Sequence, residues 1–280
     1  MILAALAGNA CMWAQIANYD LMKPYKVFTM PDTLREVSGI TVLDDQRIAC
    51  IQDENGIVFI YNFHKDKLEK QYVFGANGDY EGIARVGDTL FILRSDGYLF
   101  ESIKGQTAVA IKTGIPARNN EGLCYDRFYH RLLIASKVKP GKGHEQKDIR
   151  QIYAFDLRSR AISAEPAFEF HVPVLKQFVK DQQIILPDKE KKNGTRQEVL
   201  RFTPSAIAIH PFSRKLFLVS STDHLLFVFG SDGTAEQVVK LDPVLFNKPE
   251  GITFLANGDL LISNEGQKKK PSLFWFRYQP

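Results

Sequence analysis

The chain predicts an all-β fold, a five-bladed β-propeller closed by pairing of an N-terminal strand with the C-terminal blade. The first reason is a motif that returns five times, as Ser38-Gly39-Ile40, Glu81-Gly82-Ile83, Glu121-Gly122-Leu123, Ser205-Ala206-Ile207 and Glu250-Gly251-Ile252. The second is the spacing, because a period of roughly 40 residues with several short strands per unit is the signature of propeller blades. The third is that each motif opens an apolar run, and a turn and a second, almost wholly apolar run follow it. That pattern fits strands buried between neighbouring sheets.

The first unit runs Ser38–Leu43, turns at Asp44-Asp45, and returns through Arg47–Ile51. A turn at Asp53–Gly56 leads into Ile57–Asn62, and Lys70–Phe74 makes a fourth strand. The second unit repeats this with Gly82–Arg85, Thr89–Leu93 and Tyr98–Ser102, and the last with Ile252–Leu255, Asp259–Ser263 and Ser272–Arg277. Asn-Gly and Asp-Gly turns separate these runs, as hairpins require. From Gly122 to Ala206 the interval doubles to 84 residues. Leu132–Ser136, Gln151–Phe155 and Ala167–Phe170 complete one blade there. The remainder, 171–201, reads as a helical and loop insertion around Val174–Lys180, because it carries no further Glu-Gly-Ile. Five blades are therefore favoured, with six as the alternative. The last unit ends after its third strand, so Tyr25–Met30 is expected to supply the fourth and remove an open edge.

Residues 22–280 are read as one domain, since no blade buries its own faces. Residues 1–21 read as an export signal or a disordered segment. The stretch to Gln15 is apolar and rich in small residues, but too short to span a bilayer. Export to the periplasm or cell envelope is expected, with membrane attachment through a lipid on Cys11 as a further option. A net charge of +4, concentrated in loop-like runs without interleaved aromatic residues, argues against nucleic acid as a partner. The three cysteines lack metal-ligand spacing, and Cys50 and Cys124 read as small core residues. No Gly-x-Ser-x-Gly elbow and no paired-histidine motif occurs. A monomer is expected.

The chain resembles the SdiA-regulated family of bacterial envelope propellers. The carriers are Leu34–Ile40, Asp79–Ile83, Asn119–Leu123, Ser205–Pro211, Lys248–Ile252 and Leu261–Glu265. The resemblance covers roughly residues 22–280. Similar Glu-Gly-Ile strand starts occur in phytase-like propellers and in the gluconolactonase and regucalcin group. It implies an exported propeller with a bound divalent cation such as calcium, and it implies no settled activity.

The chemistry is expected where the innermost strands begin, around one mouth of the central channel. Glu81, Glu121 and Glu250 hold equivalent places in three blades, and Ser38 and Ser205 hold them in the other two. Three carboxylates facing one axis repel unless a cation, a shared proton or basic side chains intervene. Calcium takes six to eight hard oxygen ligands, so Glu81, Glu121 and Glu250 are candidate metal ligands, with Glu36 and Asn264 as additions. Arg94 and Lys137, at the ends of second strands, could instead neutralise the ring. With Ser38 and Ser205 they could hold a small polar ligand. An architectural reading competes, in which each Glu bonds backbone groups of the next blade and stitches the repeats together. The expected function is binding of a divalent cation, a small polar ligand or both. The alternative is a metal-dependent hydrolase of a lactone or phosphate ester, which would need Asp53, Asp96 or Asp223 as a base in the same cavity.

Overall fold

A computed structural model describes residues 15–16, 18–103, 106–140, 146–190 and 194–280. The export and lipidation expectations rest on residues ahead of these, outside the described chain.

Five antiparallel sheets stand around one axis. Their innermost strands are Val37–Val42, Tyr80–Val86, Asn120–Asp126, Pro204–Ile209 and Pro249–Phe254, and each packs against the next around a closed ring. In each blade the chain steps outwards by hairpins. The first blade does so through Arg47–Gln52, Ile57–Asn62 and Lys67–Val73. Second strands such as Arg131–Ser136 and Leu216–Ser220 are buried almost throughout, because neighbouring blades cover both faces. The apolar core accordingly divides into five clusters, one at each blade-to-blade interface.

Five blades are thus observed, and the long interval is one blade with an insertion. The outer edge of the third blade is split, with Ala161–Ile162 and Phe168–His171 both pairing with Ile149–Asp156. A helix, Val172–Asp181, follows and lays Val172, Leu175 and Val179 into the interface between blades three and four. A small hairpin then pairs Asp188–Glu190 with Arg196–Glu198.

Closure follows the expected route. Lys26–Thr29 pairs with Ser272–Phe276 in register Phe28 to Leu273, as the outermost strand of the fifth blade. The packed domain also begins ahead of residue 22. Ile16, Tyr19 and Leu21 are buried in the cluster between blades four and five, and Gln279 N–H donates to the Asn18 carbonyl.

One irregularity recurs at the start of every innermost strand. The pairing register slips by one residue between Val37 and Gly39, Tyr80 and Gly82, Asn120 and Gly122, Pro204 and Ala206, and Pro249 and Gly251. The skipped residue is Ser38, Glu81, Glu121, Ser205 or Glu250. A β-bulge leaves its extra residue out of the ladder and re-aims the side chain. The five-fold echo is therefore a series of bulges at one mouth of the axis.

Candidate functional site at the channel mouth

The residues after the bulges close the axis. Ile40, Ile83, Leu123, Ile207 and Ile252 are all buried and line a constriction with only about 10 Å³ of space. This apolar ring separates the polar mouth from the opposite one. Ahead of it the chains approach too closely for side chains. A Cβ on Gly82 would stand 2.6 Å from Leu123 Cβ and 2.9 Å from the Glu121 carbonyl oxygen. Glycine is required there by space.

The two serines and the three glutamates at the bulges do different work. Ser38 Oγ donates to the Tyr80 carbonyl in the next blade at 2.7 Å. Ser205 Oγ lies 3.2 Å from the Val219 carbonyl and 3.3 Å from that of Pro249, again in the next blade. Both hydroxyls are buried, and stitching between blades falls to them. These are the two serines expected as ligand-binding groups, and their hydroxyls donate to backbone carbonyls.

The glutamates belong to a charged cluster. Glu121, 7% exposed, takes an ion pair from Lys137 Nζ at 2.6 Å. Glu250, 8% exposed, accepts from Ser221 Oγ at 3.1 Å and lies 3.3 Å from Lys248 Nζ. The same ammonium pairs with Glu265 at 2.5 Å. The Glu81 carboxylate is half-buried and makes no hydrogen bond or ion pair with any described residue, yet it feels repulsion from Glu121, Asp79 and Glu250 and a smaller attraction from Lys137. Asp53 joins the cluster through Glu265 and Lys248. Its Oδ1 is buried and has no hydrogen-bond partner among the described residues. Five buried or half-buried carboxylates, Glu81, Glu121, Glu250, Glu265 and Asp53, thus face two ammonium groups.

The electrostatics follow from that imbalance. Burial, with Glu121, Asp79 and Glu250 adding repulsion, pushes the Glu81 carboxyl up to about 8. Burial lifts Glu121 to about 7, although its bond to Lys137 opposes the rise. Burial alone would lower Lys248, but attraction to Glu250 and Glu265 outweighs it and raises the group. Lys137 is raised likewise by Glu121, against its own burial. The mouth therefore answers its crowded carboxylates with basic neighbours and with carboxyls pushed towards the protonated form.

Other candidates stand elsewhere. Arg94, expected to neutralise the ring, forms a two-bond pair with Asp96 and stacks over Tyr98 and Phe100. Its adjacent carboxylate captures it before the axis can. Asp223 is buried but accepts from the Arg201 and Phe202 N–H groups and from Ser220 Oγ, so its carboxylate caps a loop. Glu36 is exposed at the rim beside Asp53. Asn264 is buried, with its amide nitrogen 3.5 Å from Ser272 Oγ and its Oδ1 unpartnered among described residues. Among the described residues no three His, Cys, Asp or Glu side chains stand close enough to hold a metal ion as placed. Lys137 and Lys248 occupy the ion-pair positions around the glutamates instead.

Lys248 carries no site expectation from the sequence, and Glu265 enters it only as the end of a second strand.

No protein-family model matches the chain, and no curated protein matches it. Solved structures do share its architecture. Myxococcus xanthus glutaminyl cyclase superposes with a TM-score of 0.60 at 13% identity, over 91% of this chain and 95% of that one. The WD40 repeats of RRP9 superpose with a TM-score of 0.52 at 8% identity, over 90% and 97%. A chain of a nidogen/laminin complex gives 0.51 at 14% identity, over 81% and 72%. At these identities the likeness is one of fold, a β-propeller.

Proposed function

We propose that this propeller is a binding module whose glutamate-lined mouth takes a small polar ligand through a positive charge, either a divalent cation such as calcium or a protonated amine. The observation that carries this is Glu81, a half-buried carboxylate that no described residue pairs, inside a cluster where carboxylates outnumber ammonium groups. A cation seated against Glu81 relieves repulsion that the protein otherwise meets by holding a proton. Lys137 and Lys248 leave the same mouth able to receive an anionic group on the ligand, which favours a compact zwitterion or a hydrated cation over a bare cage of carboxylates.

Binding is favoured over catalysis. Of the three aspartates a hydrolase could use as a base, Asp96 is paired with Arg94 and Asp223 caps a loop, leaving Asp53 alone beside the cluster. Export to the cell envelope is part of the proposal. It rests on the apolar segment at residues 1–15 and on the resemblance of the strand starts to SdiA-regulated propellers.

Thermal melting tests the site. Calcium, or ethanolamine as a small ammonium, is expected to raise the melting temperature of the full chain, and Glu81→Gln to abolish the rise. No rise with either probe, or an equal rise in the variant, overturns the proposal.

A further inference from the structure

The opposite mouth of the axis has a different chemistry. Beyond the isoleucine ring the innermost strands splay into a cavity of about 470 Å³. That lies within the range of roughly 300–1,000 Å³ typical of small-molecule sites. Its walls are the far ends of the five innermost strands, with Tyr125, Phe128 and Phe254 contributing aromatic surface. Arg85 and Arg127 are its charged lining groups, and no carboxylate lines it.

Neither guanidinium is ion-paired with a described carboxylate. Arg85 donates through Nε to the Gly87 carbonyl at 2.7 Å and through Nη1 to the Leu43 carbonyl. Arg127 donates through Nη2 to the Pro211 carbonyl at 2.5 Å. These bonds to neutral carbonyls, with Arg127 also 5.0 Å over the Phe128 ring, fix each side chain while leaving it without a carboxylate partner and with other N–H groups available. Arginine held in this way is suited to a carboxylate, sulfonate or phosphate, which it can grip through two parallel bonds. The apolar ring bars the five carboxylates at the other mouth from reaching in to neutralise it.

We infer that this second mouth is a separate binding site for an amphipathic organic anion, whose apolar body fills the cavity and whose acid group is drawn to the arginines on its walls. Charge complementarity selects the occupant. A neutral molecule of the same shape leaves the arginines solvated, and an amine meets like charge. The site shares no residue with the glutamate cluster, so the fate of one proposal does not decide the other.

Calorimetric titration of the full chain with 2-naphthoate and with the neutral 2-naphthylmethanol tests it. The acid is expected to bind at least about tenfold more tightly than the alcohol. Arg127→Gln, at an exposed position, should remove most of that preference without lowering the melting temperature. Thr253→Trp, which fills the cavity from a half-buried strand position, should abolish binding of both compounds. Arg85→Gln gives a second reading of the charge contribution, with circular dichroism confirming the fold. Equal affinity for acid and alcohol, unchanged binding in Thr253→Trp, or no heat from 2-naphthoate would each overturn the inference.

Discussion

Glu81 concentrates the account at the level of one residue. A carboxyl whose folded-state pKa stands above its unfolded value holds its proton more tightly when native. Its stabilising contribution is complete below the ordinary glutamate range and is lost as pH rises through its folded value, about 8 for Glu81 and about 7 for Glu121. The two interact and titrate as a pair. Stability should therefore fall between about pH 5 and pH 9, and Glu81→Gln should flatten that fall and stabilise the alkaline end by on the order of 1–2 kcal/mol. Melting curves across this range check it, and parallel profiles for wild type and variant would refute it. The identity of the three glutamates was legible in the sequence. Lys137 was legible as a neutralising group, whereas Lys248 was not, because it stands just ahead of a strand whose bulge takes Glu250 out of the ladder. His210 stands just ahead of Pro211, at the turn after an innermost strand. It is buried, accepts from the Phe212 and Ser213 N–H groups, and is pushed down to about 4 by burial and by Lys215.

The innermost strand is the element on which site and stability meet. Its second residue is bulged out towards the mouth, its third is a glycine or alanine, and its fourth plugs the axis. The order explains why the repeat survives in the sequence while the rest of each blade varies freely. Gly82→Ala should cost about 1–3 kcal/mol, since the new methyl meets backbone and Cβ atoms that belong to the packed ring. Gly39→Ala, whose nearest contacts stand at 3.2 Å, should cost less, and denaturant unfolding of the two variants side by side checks the order. Equal losses would contradict the close-approach reading. Strand order and the helix within 171–201 were legible because their periodicities are strong. The split outer edge of blade three and the hairpin Asp188–Glu190 with Arg196–Glu198 were not, being short, polar and set by tertiary contacts.

As a whole molecule the propeller is a ring joined by its two chain ends. Phe28 on the closing strand is 2% exposed and packs edge-on against Phe63 of the first blade with ring centres 5.9 Å apart. Phe28→Ala should lower stability by about 3–5 kcal/mol in one cooperative transition. A loss well below that range in urea unfolding would mean that the ring closes without this strand. Tyr19 extends the seal, donating to the Gly258 carbonyl and contacting His210 Nε2 at 3.0 Å. Ring closure was legible from the missing fourth strand, whereas the burial of Ile16 and Tyr19 was hidden in a segment whose composition suggested export. The closed ring leaves two mouths of opposite character, one dominated by carboxylates and one apolar with two arginines. The central claim concerns the first. Calorimetric titration of the full chain with calcium and with ethanolamine at about pH 6.5 and pH 8.5 tests it most directly, because a cation that seats against Glu81 must displace its proton. At least one of the two should bind more tightly at the higher pH, release protons at the lower one, and lose both effects in Glu81→Gln. Absence of heat from both cations at both pH values, or affinity that ignores pH and the variant alike, would contradict it.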